Sequence, residues 1–194
     1  MDYISELDIR NIVQKVMSTL PNSDSRQISN PASQPKPSDS SSVKTIAVGS
    51  DHGGYEMKTM IIAYLSELGH KTIDCGTHST ESVDYPDFAF AVSEKVSQGT
   101  ACRGIVIDGA GIGSCMAANK IPGIRAAMCY DYATAVNSRE HNDANVLTLG
   151  AGLLGASQVK LIVKTWLDTD FGGGRHARRV EKIMEIEKKF MKEG

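Results

Sequence analysis

The stretch Gly104–Lys120, Gly-Ile-Val-Ile-Asp-Gly-Ala-Gly-Ile-Gly-Ser-Cys-Met-Ala-Ala-Asn-Lys, admits few folds. Gly104–Ile107 reads as a short buried strand. Gly109, Gly111 and Gly113 make a turn with few side chains, and Ser114–Asn119 begins a helix with Ser114 as its N-cap. A strand that feeds a helix through a glycine turn presents backbone N–H groups to an anion. Asp108 stands at the carboxyl end of that strand, where open α/β sheets gather their ligands. It is therefore a candidate for chemistry. The alternative is a structural Asp that caps the turn through its own backbone.

The same alternation runs along the chain. Strands are expected at Thr45–Val48, Lys71–Cys75, Gly104–Ile107, Ile124–Cys129 and Val146–Leu149. Helices are expected at Tyr55–Leu68, Asp87–Ser97, Ser114–Asn119, Asp131–Glu140 (Ala133 and Val136 inside, with Ala135 a further candidate), Gly155–Leu167 and Arg175–Lys192. Such alternation predicts a three-layer α/β/α, Rossmann-like domain over residues 44–194, with a five-stranded parallel sheet and right-handed crossovers. Hydrophobic residues are 41% of the 194, enough for a real core. A net charge of -2 argues against a nucleic-acid binder working by bulk charge. No apolar run approaches membrane-spanning length, and no secretory signal is expected. Cys75, Cys102, Cys115 and Cys129 form no Cys-x-x-Cys pair and read as reduced, mostly buried thiols of a cytosolic protein.

Residues 1–20 read as a separate unit. Ile9, Ile12, Val13, Val16 and Leu20 fall on one face of a helix. Residues 21–43, dominated by Ser, Pro, Asn and Asp, read as a disordered linker. An amphipathic helix on a flexible tether is a docking peptide in form. The arrangement resembles the encapsulation peptides of bacterial microcompartment cargo enzymes. That resemblance implies a shell protein as partner of residues 1–20, and a location in the bacterial cytoplasm inside a microcompartment.

Strands of one parallel sheet share a direction, so their carboxyl-end turns gather at one edge. Ser50-Asp51-His52 and Asp108 with its glycine turn should meet there. Arg139-Glu140-His141-Asn142-Asp143 precedes the fifth strand, at the opposite edge, and would join the site of a neighbouring subunit instead. His52 and His141 are the histidines best placed for catalysis. Arg175 and Arg179 lie one helical turn apart and could clamp a phosphate; the alternative is a solvated basic helix end. His70, His78 and His176 read as incidental. The glycine turn lacks the dinucleotide spacing, no Walker-type motif occurs, and no metal-ligand cluster is evident, so no cofactor or metal is expected.

Several motifs now converge: Gly49-Ser50-Asp51-His52-Gly53-Gly54, Asp84-Tyr85-Pro86, Gly109-x-Gly-x-Gly with Ala117-Ala118-Asn119-Lys120, Gly123-Ile124-Arg125-Ala126, Ser138-Arg139-Glu140-His141-Asn142-Asp143 and Gly174-Arg175-His176. Over about residues 44–189 the chain resembles the ribose-5-phosphate isomerase B family, which includes the galactose-6-phosphate isomerase subunits. The resemblance implies metal-free aldose–ketose isomerisation of a sugar phosphate, in a homodimer or dimer of dimers with sites at the interface. It implies that Asp51 bonds substrate hydroxyls and that His52, Arg175 and Arg179 hold the phosphate. It further implies that His141, with Asn142 beside it, opens the sugar ring and that Tyr85 lines the pocket. The turn amides from Gly109 through Gly111 to Gly113 would stabilise an enediolate oxygen.

Two positions depart from the family pattern. The family's usual base is a cysteine, and here that residue is Asp108. The usual threonine two residues later is Ala110. The glutamate that serves another branch is Ser114. A carboxylate can abstract a proton beside a carbonyl, but a helix N-terminus lowers its pKa and weakens it as a base. The expectations are therefore an isomerase with Asp108 as base, or a silent or altered sugar-phosphate-binding protein.

Overall fold

Five short apolar segments pair into one parallel sheet in the computed structural model, which describes residues 43–191 together with Lys15. They are β1 (Thr45–Ser50), β2 (Lys71–Asp74), β3 (Arg103–Asp108), β4 (Ala126–Met128) and β5 (Val146–Gly150), in the order β2-β1-β3-β5-β4. The chain steps outward from β1 to β2 and then crosses back to β3. The order thus reverses between β1 and β3, the place where such sheets open a crevice. Ser50 registers against Ile107 and Asp108 against Gly150, so the turns after β1, β3 and β5 are neighbours at the carboxyl edge.

Helices cover both faces. They are α1 (Tyr55–Glu67), α2 (Tyr85–Ser97), α3 (Ile112–Ala118), α4 (Tyr132–Glu140), α5 (Ala156–Asp168) and α6 (Arg175–Phe190). Side chains alternate along a strand, so each strand feeds two cores. Ile46, Val48, Ile105, Ile107, Leu147 and Leu149 pack with Ile61 and Leu65 of α1 and with Val159, Ile162, Val163 and Trp166 of α5. Ala47, Val106 and Val146 face the other way, onto Ala89 and Val92 of α2 and Ala118 of α3. This is the three-layer α/β/α, Rossmann-like arrangement that the sequence pattern predicts, with its five-stranded parallel sheet.

Some local expectations are corrected. The helix expected from Asp87 starts at Tyr85, with Pro86 in its first turn, where a missing N–H costs nothing. The fourth strand is only Ala126–Met128, and along its edge Asn119 accepts from the Ala126 N–H at 2.9 Å and donates to its carbonyl at 3.0 Å. In α4 the buried residues are Ala135, Ser138 and Arg139, while Ala133 is exposed. Arg139 turns that face inward by donating to Asp143 and to the Ala144 carbonyl, both at 2.7 Å. Only Cys129 of the four thiols is buried, and Cys102 is exposed. The amphipathic segment 1–20 and the linker 21–43 lie outside the described residues, apart from Lys15 and Val43. Among the described residues, no helix is long and apolar enough to cross a membrane.

Candidate active site

The glycine turn after β3 is shaped by what surrounds it. Gly111 has φ +79, a conformation that favours glycine, and α3 starts immediately after it. A Cβ at Gly150 would lie 2.7 Å from the Ala110 carbonyl group, so the end of β5 can approach the turn only as glycine. Ala151 N–H donates to the Asp108 carbonyl at 2.8 Å, and Thr148 Oγ1 to the Gly111 carbonyl at 2.9 Å. The turn is thus held rigidly from the β5 side.

Asp108, only 4% exposed, closes the same turn from within. One of its carboxylate oxygens accepts from the Ala110 N–H at 2.8 Å and from the Gly111 N–H. The other accepts from the Ser114 N–H at 2.9 Å. Ser114 is therefore not the N-cap. The helix begins two residues earlier, and the carboxylate of Asp108 does the capping. Burial alone would push this carboxyl up. The polar groups of Ser114 and the amides of Gly111 and Ala110 outweigh it and hold the group below its ordinary value.

The turn after β1 abuts this one. Asp51 is buried, donates its N–H to the Ile107 carbonyl at 3.1 Å, and accepts from the Gly54 N–H at 3.0 Å. A Cβ at Gly53 would sit 3.4 Å from the Asp51 carboxylate and 4.0 Å from the Gly109 nitrogen, which brings the two turns together. His52 Nδ1 lies 3.2 Å from both the N–H and the carbonyl of Val83, fastening this turn to the loop before α2. Tyr85 lies over Gly113, where a Cβ would come within 2.5 Å of its ring. Asp51, His52, Tyr85, Asp108, Gly109, Gly111 and Gly113 therefore belong to one carboxyl-edge cluster. Lys58 and Asp74 brace it: Lys58 Nζ donates to Asp74 at 2.5 Å, and the same oxygen accepts from the Gly76 N–H at 2.9 Å. Gly76 in turn accepts from the Ser50 N–H at 2.7 Å.

The remaining predicted residues stand elsewhere. α4 runs from the carboxyl edge after β4 back to the edge where β5 begins, so His141 and Asn142 lie at the amino edge. α5 returns the chain to that same edge. The Gly172 N–H donates to the Glu140 carbonyl at 2.9 Å just before α6 begins with Arg175. His141 stacks on His176, ring centroids 4.1 Å apart and planes 7° from parallel. Desolvation, and then the charges of His141, Arg175 and Arg179, pull the His176 imidazole below its usual value. His176, read as incidental from sequence, is therefore part of the group. Asp143, at φ 46, ties this corner down through Arg125 at 3.0 Å and Arg139 at 2.7 Å. Asn137 also reaches His141, at 2.8 Å; its i, i+4 spacing on α4 was the signal that could have found it. Among the described residues, no group of three His, Cys, Asp or Glu side chains is placed to hold a metal ion.

The linkage between Asp108 and its amides has a sign. A carboxyl whose folded pKa lies below its unfolded one contributes stability above the unfolded value, and loses it as pH falls through the folded value. Asp108 falls below 3.8 on folding, and Asp74, where burial is outweighed by Lys58 and Gly76, falls with it. Urea unfolding followed from about pH 6 to about pH 2 should therefore show stability declining below about pH 4. Asp108→Asn should flatten part of that decline and cost about 1–3 kcal/mol at neutral pH. A variant with the same acid profile as the wild type would refute the capping role.

A family described as ribose/galactose isomerase matches residues 46–183. The ribose-5-phosphate isomerase B of Escherichia coli K12 is 46% identical over 147 residues, covering 76% of this chain and 99% of that protein. The D-erythrulose-4-phosphate isomerase of Pectobacterium atrosepticum is 41% identical over 140 residues, covering 72% and 92%. The solved structure of Clostridium thermocellum ribose-5-phosphate isomerase B superposes with a TM-score of 0.75 at 55% identity, covering 76% and 99%.

Proposed function

The chain belongs to the ribose/galactose isomerase family, and from that membership we propose that it interconverts an aldose phosphate and a ketose phosphate, ribose 5-phosphate and ribulose 5-phosphate foremost. The carrying observation is the division of the candidate residues into two clusters, one at each edge of a single sheet. Asp51, Tyr85 and the glycine turn can hold the reacting carbons. His141 with Arg175 and Arg179 can hold a ring oxygen and a phosphate, the arginines through forked hydrogen bonds. The two clusters complete one site when the carboxyl edge of one copy meets the amino edge of another. α6 offers an apolar face for such pairing, with Ile183, Ile186 and Phe190 exposed along it.

In this reading His52, Arg175 and Arg179 capture the phosphate, and His141 and Asn142 assist ring opening. Asp51 and Tyr85 orient the open chain. Asp108 takes the proton from C2 and returns it to C1 through a cis-enediolate, while the hydroxyl proton passes from O2 to O1. The amides of Ala110, Gly111 and Ser114 are committed to Asp108, so the enediolate oxygen would meet the others of the turn, Gly109, Ile112 and Gly113. That commitment also favours a second reading. A carboxylate held low by three amides is a weak base, which suits a protein that binds sugar phosphates without turning them over.

Purified protein assayed on ribose 5-phosphate and on D-erythrulose 4-phosphate separates the readings. Turnover that falls at least about 10²-fold in Asp108→Asn supports the aspartate base. Silence of the wild type, with turnover gained in Asp108→Cys, establishes the binding protein instead. Mixing inactive Asp51→Ala and His141→Ala subunits tests the composite site. Random pairing regenerates one intact site in each mixed dimer, about a quarter of wild-type activity, and a mixture that stays silent counts against sharing.

We further propose that residues 1–20 carry this enzyme into a bacterial microcompartment by docking on a shell protein, with 21–43 as tether. The apolar stripe Ile9, Ile12, Val13 and Val16 supports this reading. Residues 1–20 fused to a fluorescent reporter should concentrate it in shells. A diffuse reporter beside intact shells would reject the docking role.

A further inference from the structure

The hydrogen bonds around His141 determine which of its nitrogens carries the proton. Asn142 Nδ2 lies 3.2 Å from the backbone carbonyl of Asn137, and a carbonyl only accepts, so the amide nitrogen of Asn142 must face it. The same nitrogen lies 3.2 Å from Asn137 Oδ1, which must therefore be the oxygen. That leaves Asn137 Nδ2 facing His141 Nδ1 at 2.8 Å. An amide nitrogen only donates, so Nδ1 must offer its lone pair, and the neutral ring keeps its proton on Nε2.

We infer that Asn137 is a positioning residue that holds His141 as the neutral Nε2–H tautomer, so that it meets the substrate as a hydrogen-bond donor and not as a proton acceptor. Protonating Nδ1 would set N–H against N–H. His176 stacks on the same ring. Around this pair stand Arg175 and Arg179 of α6, which add to the positive field, and Glu140 of α4, which opposes it. A neutral imidazole that polarises a substrate oxygen is a known catalytic device. The inference rests on the reading that His141 contacts the sugar phosphate, but the tautomer itself can be observed without turnover.

The test is a long-range ¹H–¹⁵N spectrum of the full chain labelled at histidine, with His141 assigned from the signal missing in His141→Gln. In the wild type at neutral pH, Nδ1 should read as unprotonated and Nε2 as protonated. Asn137 is exposed, so its variants should fold. Asn137→Leu should relax the tautomer ratio about fivefold. Asn137→Asp should reverse it, because a carboxylate accepts from Nδ1–H. A protonated Nδ1 in the wild type, or a ratio that Asn137→Asp leaves unmoved, would overturn the inference. Turnover supplies the second arm. Glutamine can donate as the Nε2–H does but cannot take a proton. His141→Gln should stay within about tenfold of the wild type, while His141→Ala loses about 10²-fold or more. Equal losses in the two variants would overturn the donor role. A wild type with the stated tautomer and no turnover would sink the isomerase reading and leave the tautomer standing.

Discussion

The middle of the sheet depends on one buried carboxylate and the three amides that surround it. Without Asp108, the amides of Ala110, Gly111 and Ser114 would lose their shared acceptor at the start of α3, at a cost of about 1–3 kcal/mol for each that stays buried. With it, a sharp glycine turn closes between β3 and α3, and the end of β5 packs on the turn's far side through Gly150 and Thr148. The same arrangement limits the chemistry. Amides that hold a resident carboxylate are the kind of donor that would otherwise hold the oxyanion of an intermediate. A residue here is pulled between structure and reaction, and the hydrogen bonds pull Asp108 toward structure.

Parallel topology decides the rest of the layout. Every crossover helix carries the chain from the carboxyl edge back to the amino edge, so a residue at the end of a helix and a residue at the end of a strand stand on opposite sides of the domain. Asp51 and Asp108 end strands. His141 ends α4, and Arg175 opens α6 at the same amino edge. No side-chain motion within one chain bridges a sheet whose central strands are five and six residues long, about 17–20 Å. A complete site in the proposed reaction therefore requires a second copy, and this requirement follows from the strand order rather than from any particular contact.

How much of this was legible depended on the range of the forces involved. Strand and helix order came from apolar periodicity, a local signal, and the two-edge separation followed from it. The N-cap did not, because Ser114 fits the local capping rule while the real cap is the side chain of Asp108, six residues back and reached only through the folded turn. On α4 Ala135 is buried as its pattern suggests, and Ala133 departs for a related reason. Ala133 looks apolar enough to be inside, but it is Arg139 that is buried, bonded to Asp143 and to a backbone carbonyl. His176 looked incidental because stacking on His141 joins residues 35 positions apart. The candidate site residues come from motifs that resemble a known family; of their partners, Asn137 had a local signal in its i, i+4 spacing to His141, while His176 emerges only in the geometry.

Taken together, the two clusters lean the same way. Asp108 is held on the acidic side of an ordinary carboxylate, and Asn137 turns His141 toward donating rather than accepting. Asp108 is thus not tuned to be a strong base. In an isomerisation the barrier to removing a carbon-bound proton falls either when the base is stronger or when the carbanion it leaves is better stabilised. With a weakened base, the proposed reaction must draw its rate from the second route: the remaining turn amides and the Nε2–H of His141, set against oxygens that gain charge, with the arginines anchoring the phosphate. This also explains why Ala110 in place of a hydroxyl residue matters. It leaves the turn without a side-chain donor at that position, in a site that depends on donors. The balance between turnover and mere binding therefore rests on how many donors still face the enediolate once Asp108 has taken its three.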